Sequence, residues 1–246
     1  MDVKKERFVA YEAYERLADA YAERVDYKPH NAYLEMPSTL SLIPDIMGKR
    51  VLDAGCGTGR YTRWLLEGGA DVIGIDASPK MLRHAKKKIG NRADLRLHDL
   101  NKPLNFLVDS SVDLILAALV LDYLRDWDPV LREFHRVLKD DGYLIISMGH
   151  PALDFIKDLG MEDYWIVERV ENWWKGFGDA VLVPSYRRPL QAATEALHRA
   201  GFLIERLIEA RPTEEYREAD PEGYEEVRWR PSFLCIRAVP RRLLHL

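Results

Sequence analysis

The sequence has little cysteine, no long apolar run and no excess of positive charge, and each shortage removes a class of function. Its two cysteines, Cys56 and Cys235, lie far apart and form no metal-ligand pattern, and no cluster of ligating residues or nucleophile–base pair is visible elsewhere. No stretch reaches the roughly 18 apolar residues that would suggest a membrane span. The charged beginning, Met1 to Arg7, is followed by no apolar core, so no signal peptide is expected and a cytoplasmic location fits. A formal net charge of -4 gives no general attraction to nucleic acid phosphates or anionic lipid, although it leaves room for a local basic patch. Repeats, low-complexity segments and linkers are also missing. The 246 residues therefore read as one α/β domain, 1–246, long enough to bury a sizeable core.

What the chain does have is a strand, a glycine loop and a helix in succession from Val51 to Leu66. Val51 and Leu52 are the apolar end of a buried strand, Gly55, Gly57 and Gly59 turn the backbone, and Tyr61, Trp64, Leu65 and Leu66 recur at helical spacing. Glycines are required where the backbone takes positive φ or comes within contact distance of a ligand. By itself the loop could also be only a tight βα turn. Asp53, just ahead of it, sharpens the reading. A carboxylate there would repel the pyrophosphate that such loops usually hold, and would suit an α-ammonium or a sulfonium, which favours S-adenosylmethionine over NAD. Cys56, between two glycines, reads as a compact filler. A second strand, Asp71 to Asp76, ends in a carboxylate roughly 20 residues after the loop, where the dinucleotide fold keeps its ribose-binding acid. Asp76 could instead cap the next helix, although Ser78 ahead of Pro79 is available for that.

The run Asp53-Ala-Gly-Cys-Gly-Thr-Gly59 resembles the first motif of the class I S-adenosylmethionine-dependent methyltransferases, and the similarity continues through most of the chain. It implies a Rossmann-like doubly wound sheet of seven strands in the order 3-2-1-4-5-7-6, with strand 7 antiparallel. It also implies cofactor contacts from Asp53, Gly55, Cys56, Gly57 and Gly59 in the loop. Asp76, Ala77 and Met81 would follow the second strand, Asp99 and Leu100 would meet the adenine, and Ala117 would lie beside the methionine portion. Asp99 reads alternatively as a turn former. Relatives often place a tyrosine from an N-terminal segment over the cofactor, and Tyr14 and Tyr21 fit that pattern. The alternative is that residues 1–45 are only an amphipathic helical cover.

In chain order, helices are expected from Glu6 to about Asp26 and from Asn31 to about Ile43. Further helices should run from Lys80 to Ile89, with a solvated lysine run at Lys86 to Lys88, and from Asp128 to a stop at Gly142. Strands are expected at Leu95 to Asp99, Ser111 to Ala118 and Tyr143 to Met148. Gly149 to Pro184 breaks the alternation with Tyr164, Trp165, Trp173, Trp174 and Phe177, and with Gly160, Gly176 and Gly178. A long aromatic insertion on the ligand edge reads as a lid, or else as a structural flap or oligomer contact. Afterwards come a helix from Gln191 to Ala200, a strand from Phe202 to Ile208, an acidic loop from Ala210 to Arg230 and a last strand from Ser232 to Val239.

The expected function is methyl transfer to an oxygen or nitrogen of a small acceptor, with S-adenosylmethionine as cofactor, S-adenosylhomocysteine as product, and no metal. The segments Tyr186 to Leu190, Ser147 to Pro151 and Pro231 to Leu234 look like one branch of small-molecule methyltransferases. Candidate acceptor contacts are Asp122 (a position where relatives commonly carry histidine), Tyr123, Tyr164, Trp165, Tyr186 and Arg187, with Arg188 beside it. His150 is a candidate base near neutrality, or a strand-end histidine bonded to backbone. Nucleic acid partners are disfavoured, because no extended basic region and no Asn-Pro-Pro-Tyr-like motif is present. No membrane partner is expected, and the protein would be a monomer or homodimer. The rivals are a non-enzymatic binder of S-adenosylmethionine or S-adenosylhomocysteine and an NAD-dependent oxidoreductase.

Overall fold

The structure, a computed structural model, describes residues 8–153 and 163–241. Glu6 and Arg7, at the start of the first expected helix, and Gly160 in the insertion lie outside them. Nine strands occur among the described residues: β1 Arg50–Ala54, β2 Asp71–Asp76, β3 Asp94–Leu97, β4 Val112–Ala118, β5 Leu138–Gly149, β6 Glu168–Trp174, β7 Val181–Arg187, β8 Phe202–Glu209 and β9 Phe233–Pro240. Seven form one sheet in the order β3-β2-β1-β4-β5-β9-β8, and β6 and β7 form a separate hairpin. The pairs from β3 across to β5 are parallel. β9 is antiparallel to both β5 and β8. With the hairpin set aside, this is the 3-2-1-4-5-7-6 order expected of the Rossmann-like methyltransferase fold.

The central strands are apolar on both faces, as a covered parallel sheet requires. Leu52, Ile73, Ile115 and Ile146 face one layer, packed by α5 (Asp128–Val137) and α6 (Leu190–Arg199). Val51, Val72, Leu114 and Leu116 face the other layer, with Leu65 of α3 (Arg60–Glu67). α4 (Pro79–Ile89) buries Met81, Ala85 and Ile89, and the Ser78 hydroxyl oxygen accepts the Met81 N–H at 3.1 Å as its cap. α1 (Tyr11–Arg24) is tied to α4: the Ser78 hydroxyl donates to Glu15 at 2.6 Å, and Lys80 donates to the Glu15 carbonyl at 2.6 Å. Just beyond α1, Lys88 donates to Asp26 at 2.8 Å. The lysine run is thus only partly a solvated face: Lys86 and Lys87 are exposed, while Lys88 is paired across.

Several boundaries depart from expectation. α5 stops at Val137 instead of running to Gly142, and β5 starts at Leu138 with a bulge opposite Val112 to Leu114. Gly142 serves the bulge: a Cβ there would sit 2.8 Å from the Asp113 carbonyl oxygen and 2.7 Å from Leu138. The insertion reaches Arg187 rather than Pro184, because Tyr186 and Arg187 belong to β7. Ala210 to Arg230 is not a loop but holds two helices, α7 (Glu214–Ala219) and α8 (Pro221–Val227). Asp220 caps α8 by accepting the Gly223 N–H at 2.9 Å, and Tyr216 is fully buried beside Leu34 and Val227. The second expected helix begins as a single π turn, Asn31–Glu35, and continues as α2, Met36–Leu40. Pro37 has no N–H to give back to the helix, and the Tyr33 carbonyl accepts the Thr213 N–H at 3.0 Å instead.

Among the described residues no helix is long and apolar enough to cross a membrane, and no cluster of three or more metal-ligating side chains occurs.

Candidate functional site

Two cavities lie side by side where β1, β2, β4 and β5 end. The narrower, about 130 Å³, is walled by the glycine loop, Asp76, Ala77, His98 to Leu100 and Ala118 to Val120, and closed by Tyr14 and Tyr21. The wider, about 460 Å³, lies against Met148 to Pro151 and the β6–β7 hairpin. Asn31, Leu119, Tyr123 and Trp174 line both and form their common wall.

The loop is built by conflict with side chains. Gly59 has φ +80°, and a Cβ there would fall 2.5 Å from the Ile89 Cδ1, so its bareness lets α3 and α4 close up. Gly57 has φ +54° and faces open space, so the chain presents naked backbone to the cavity at that point. Asp76 braces the loop: Oδ2 accepts the Gly57 N–H at 2.9 Å and Oδ1 accepts the Ser78 N–H at 2.8 Å. Each oxygen keeps an acceptor site. Burial raises the Asp76 pKa to about 6, against the backbone hydrogen bonds it accepts. Asp99 accepts the N–H and the side-chain amide of Asn101 at 2.9 Å, both on Oδ1, and so lines the cavity and forms a turn at once.

A family model described as a methyltransferase domain matches residues 52–146, the segment that carries the glycine loop, Asp76 and Asp99. A solved S-adenosylmethionine-dependent methyltransferase from Mesorhizobium loti superposes with a TM-score of 0.67 at 28% identity, covering 87% of this chain and 99% of that one. Residues 52–146 thus match a methyltransferase domain, and the fold around them is shared with a solved S-adenosylmethionine-dependent methyltransferase. Among curated relatives, a malonyl-[acyl-carrier protein] O-methyltransferase from Hamiltonella defensa is 31% identical over 60% of this chain and 54% of its own length. A demethylmenaquinone methyltransferase from Tropheryma whipplei is 37% identical over 42% of this chain and 44% of its own length. The chain spans about half the length of the curated relatives it matches.

Of the expected cofactor contacts, Tyr14, Tyr21, Gly55, Cys56, Gly57, Asp76, Ala77, Asp99 and Leu100 line the narrower cavity. Asp53, Gly59, Met81 and Ala117 do not. Asp53 is fully buried, with the Thr62 hydroxyl donating to it at 2.5 Å. Strand alternation explains this: Asp53 shares the α3 face of β1 with Val51. Burial raises its pKa to about 7 in spite of Thr62. The charge that the sequence reading aimed at a cationic ligand is therefore turned into the α3 layer. Met81 packs in the core, and Ala118 rather than Ala117 reaches the cavity wall. Cys56 is a buried thiol whose pKa burial drives up, in keeping with a filler.

In the wider cavity, Asp122, Tyr123, His150, Tyr186 and Arg187 are brought together. Asp122 accepts the Gly149 N–H at 2.9 Å. Both ring nitrogens of His150 are engaged: Nδ1 accepts the Ala152 N–H at 3.2 Å and Nε2 faces Glu209 at 3.0 Å. That is the backbone-bonded strand-end geometry rather than a free base. Arg187 is buried and satisfied by Glu168 at 2.7 Å and by the carbonyls of Asp163 at 2.7 Å and Tyr164 at 2.9 Å. Tyr164 and Trp165 line neither cavity. Tyr164 accepts the Leu190 N–H at 3.1 Å, and Trp165 is 72% exposed.

Several site residues escaped the sequence reading. Glu35 is buried in the narrower cavity, taking hydrogen bonds from Ser147 at 2.6 Å, Thr39 at 2.8 Å and Tyr61 at 2.9 Å, with burial raising its pKa. Its signal was available, because it is the sole charge between Asn31 and Ile43. Leu119 holds φ +51°, a strained backbone for a side chain with a Cβ, on the wall between the cavities. Nothing in a leucine announces that.

Proposed function

We propose that this chain transfers the methyl group of S-adenosylmethionine to an oxygen or nitrogen of a small molecule seated in the wider cavity. The observation that carries the reading is the common wall: Leu119, Tyr123, Asn31 and Trp174 border both a glycine-loop cavity and an aromatic one. The residues present suit the cofactor. Gly57 offers bare backbone, the buried Thr58 hydroxyl has no partner among the described residues, and Asp76 retains two acceptor sites for a pair of ribose hydroxyls. Asp99 and Leu100 would meet the adenine. The cofactor supplies a methyl already activated by its sulfonium, so the protein's task is binding, orientation and exclusion of water. Holding the acceptor in line can supply about 7–11 kcal/mol in the best cases. Tyr14 and Tyr123 share a hydrogen bond of 2.7 Å, and burial raises both pKa values, so these hydroxyls stay protonated while they fix the wall. His150 is not assigned as a base, because both its nitrogens are engaged.

The named relatives act on a malonyl group carried by acyl carrier protein and on demethylmenaquinone. Their acceptors differ, so the acceptor here is read from this chain's own cavity. Incubation with methyl-labelled S-adenosylmethionine and a metabolite extract, followed by mass spectrometry, should reveal a labelled small molecule. Tight binding of S-adenosylhomocysteine without any labelled product would favour the non-enzymatic binder, and binding of NAD alone would sink both readings.

A further inference from the structure

The wider cavity carries more positive charge than its own acids match. Arg187 is balanced by Glu168. Arg188 is not so engaged: it is 3% exposed, lines the cavity, and uses Nη2 on the Leu124 carbonyl at 2.6 Å, with its guanidinium 4.1 Å over the Trp127 ring. Its Nε is buried with no acceptor, and Nη1 makes no hydrogen bond among the described residues. Asp122 lends it charge from nearby. Lys28, on the hairpin side, is half-buried with its ammonium 3.9 Å from the Phe177 ring, and pairs with no carboxylate among the described residues. A buried guanidinium with idle N–H groups is costly to leave unmatched. Around these two cations the walls are aromatic: Trp173, Trp174, Phe177 and Tyr186.

Resting on the methyl-transfer reading, we propose that the acceptor bears an anionic oxygen group, carboxylate or phosphate, on an apolar body. Arg188 and Lys28 hold the anion while the aromatic walls take the body. Arg188 suits the role because its planar donors match carboxylate and phosphate oxygens and it keeps its charge when buried. The sequence pointed to Arg187 as the acceptor contact with Arg188 beside it; the hydrogen bonds instead make Arg187 the brace of the hairpin and leave Arg188 as the donor.

The test uses the full chain preloaded with S-adenosylhomocysteine and calorimetry with matched probes. These are hexanoate against hexanamide, 2-naphthoate against 2-naphthamide, and 2-naphthyl phosphate against 2-naphthol. The expected result is a preference of at least tenfold for the anion in one or more pairs, with the carboxylate and phosphate arms separating the two sources. Arg188→Met and Lys28→Met should each reduce that preference at least threefold and leave the affinity for S-adenosylhomocysteine within twofold. Should Arg188→Met not fold, the half-exposed Lys28→Met decides. Equal affinities within every pair, no binding of any anion, or a preference untouched by the folded variants overturns the inference. Failure to bind S-adenosylhomocysteine at the outset would overturn the methyl-transfer reading instead.

Discussion

Asp76 performs two jobs through different lone pairs. It holds the glycine loop through the Gly57 and Ser78 amides, and its remaining acceptor sites face the cavity. Replacement by Ala should therefore weaken S-adenosylhomocysteine at least tenfold, since charge-assisted hydrogen bonds are worth roughly 1.5–3 kcal/mol each. Loss of the loop brace should lower the melting temperature by only a few degrees. Calorimetry and thermal melting check both, and unchanged affinity would reduce Asp76 to a brace. Its pKa near 6 adds a sign: wild-type affinity should fall as pH drops through about 6, where the protonated acid can no longer accept two hydrogen bonds. Asp53 tests the opposite side of the strand. Its pKa of about 7 lies above the ordinary carboxyl value of 3.8, so the folded state binds the proton more tightly than the unfolded one. The stability from this group is full below about pH 4 and is lost as pH rises toward 7, roughly 4 kcal/mol at most. Asp53→Asn keeps an acceptor for Thr62 but cannot ionise. Denaturant unfolding at pH 5 and pH 8 should show a smaller decline for the variant than for wild type, and equal declines would place the titration elsewhere.

At the scale of elements, α1 and the β6–β7 hairpin act as one cover. Leu17 and Ala13 of α1 pack with Phe177, Val181 and Val183, while Tyr14, Tyr21 and Trp174 fill the seam over the cavities. Tyr14 meets Trp174 and Tyr123 edge to face at 6.1 and 5.3 Å. If this cover opens to admit ligand, amide hydrogen exchange across Tyr11–Arg24 and Glu168–Arg187 should slow together on addition of S-adenosylhomocysteine. Slowing in one segment alone, or in neither, would show a fixed flap. The lid reading came from aromatic residues and glycines in a break of the βα alternation. Its form as a hairpin was not legible, because Trp174, Val181 and Val183 pack against α1, more than a hundred positions away. The helices α7 and α8 were missed for a related reason: their acidic surface hides the anchors Tyr216 and Val227, whose partner Leu34 is equally distant.

Across the whole molecule, the parallel half of the sheet was readable because local rules suffice there. Val51, Leu114 and Ile115 form runs covered on both faces, Asp76 closes β2, and Asp99 follows β3 by two residues. The site was readable only where backbone chemistry demanded a residue type, as at Gly57. It was unreadable where the direction of a side chain decides, as for Asp53, Arg187 and His150. The reversed last strand has a separate consequence, concerning time. β9 sits between β5 and β8, pairing Ile146 with Ile236 on one side and Leu207 with Ile236 on the other. A ribosome delivers β5 and β8 well before β9, so both expose unpaired hydrogen-bonding edges until residue 240 clears the exit tunnel. The five strands that build the glycine-loop cavity can assemble during synthesis. The wall of the wider cavity at Ser232 and Phe233 cannot form until β9 emerges, so the glycine-loop half of the site is ready to fold before the half at the wider cavity.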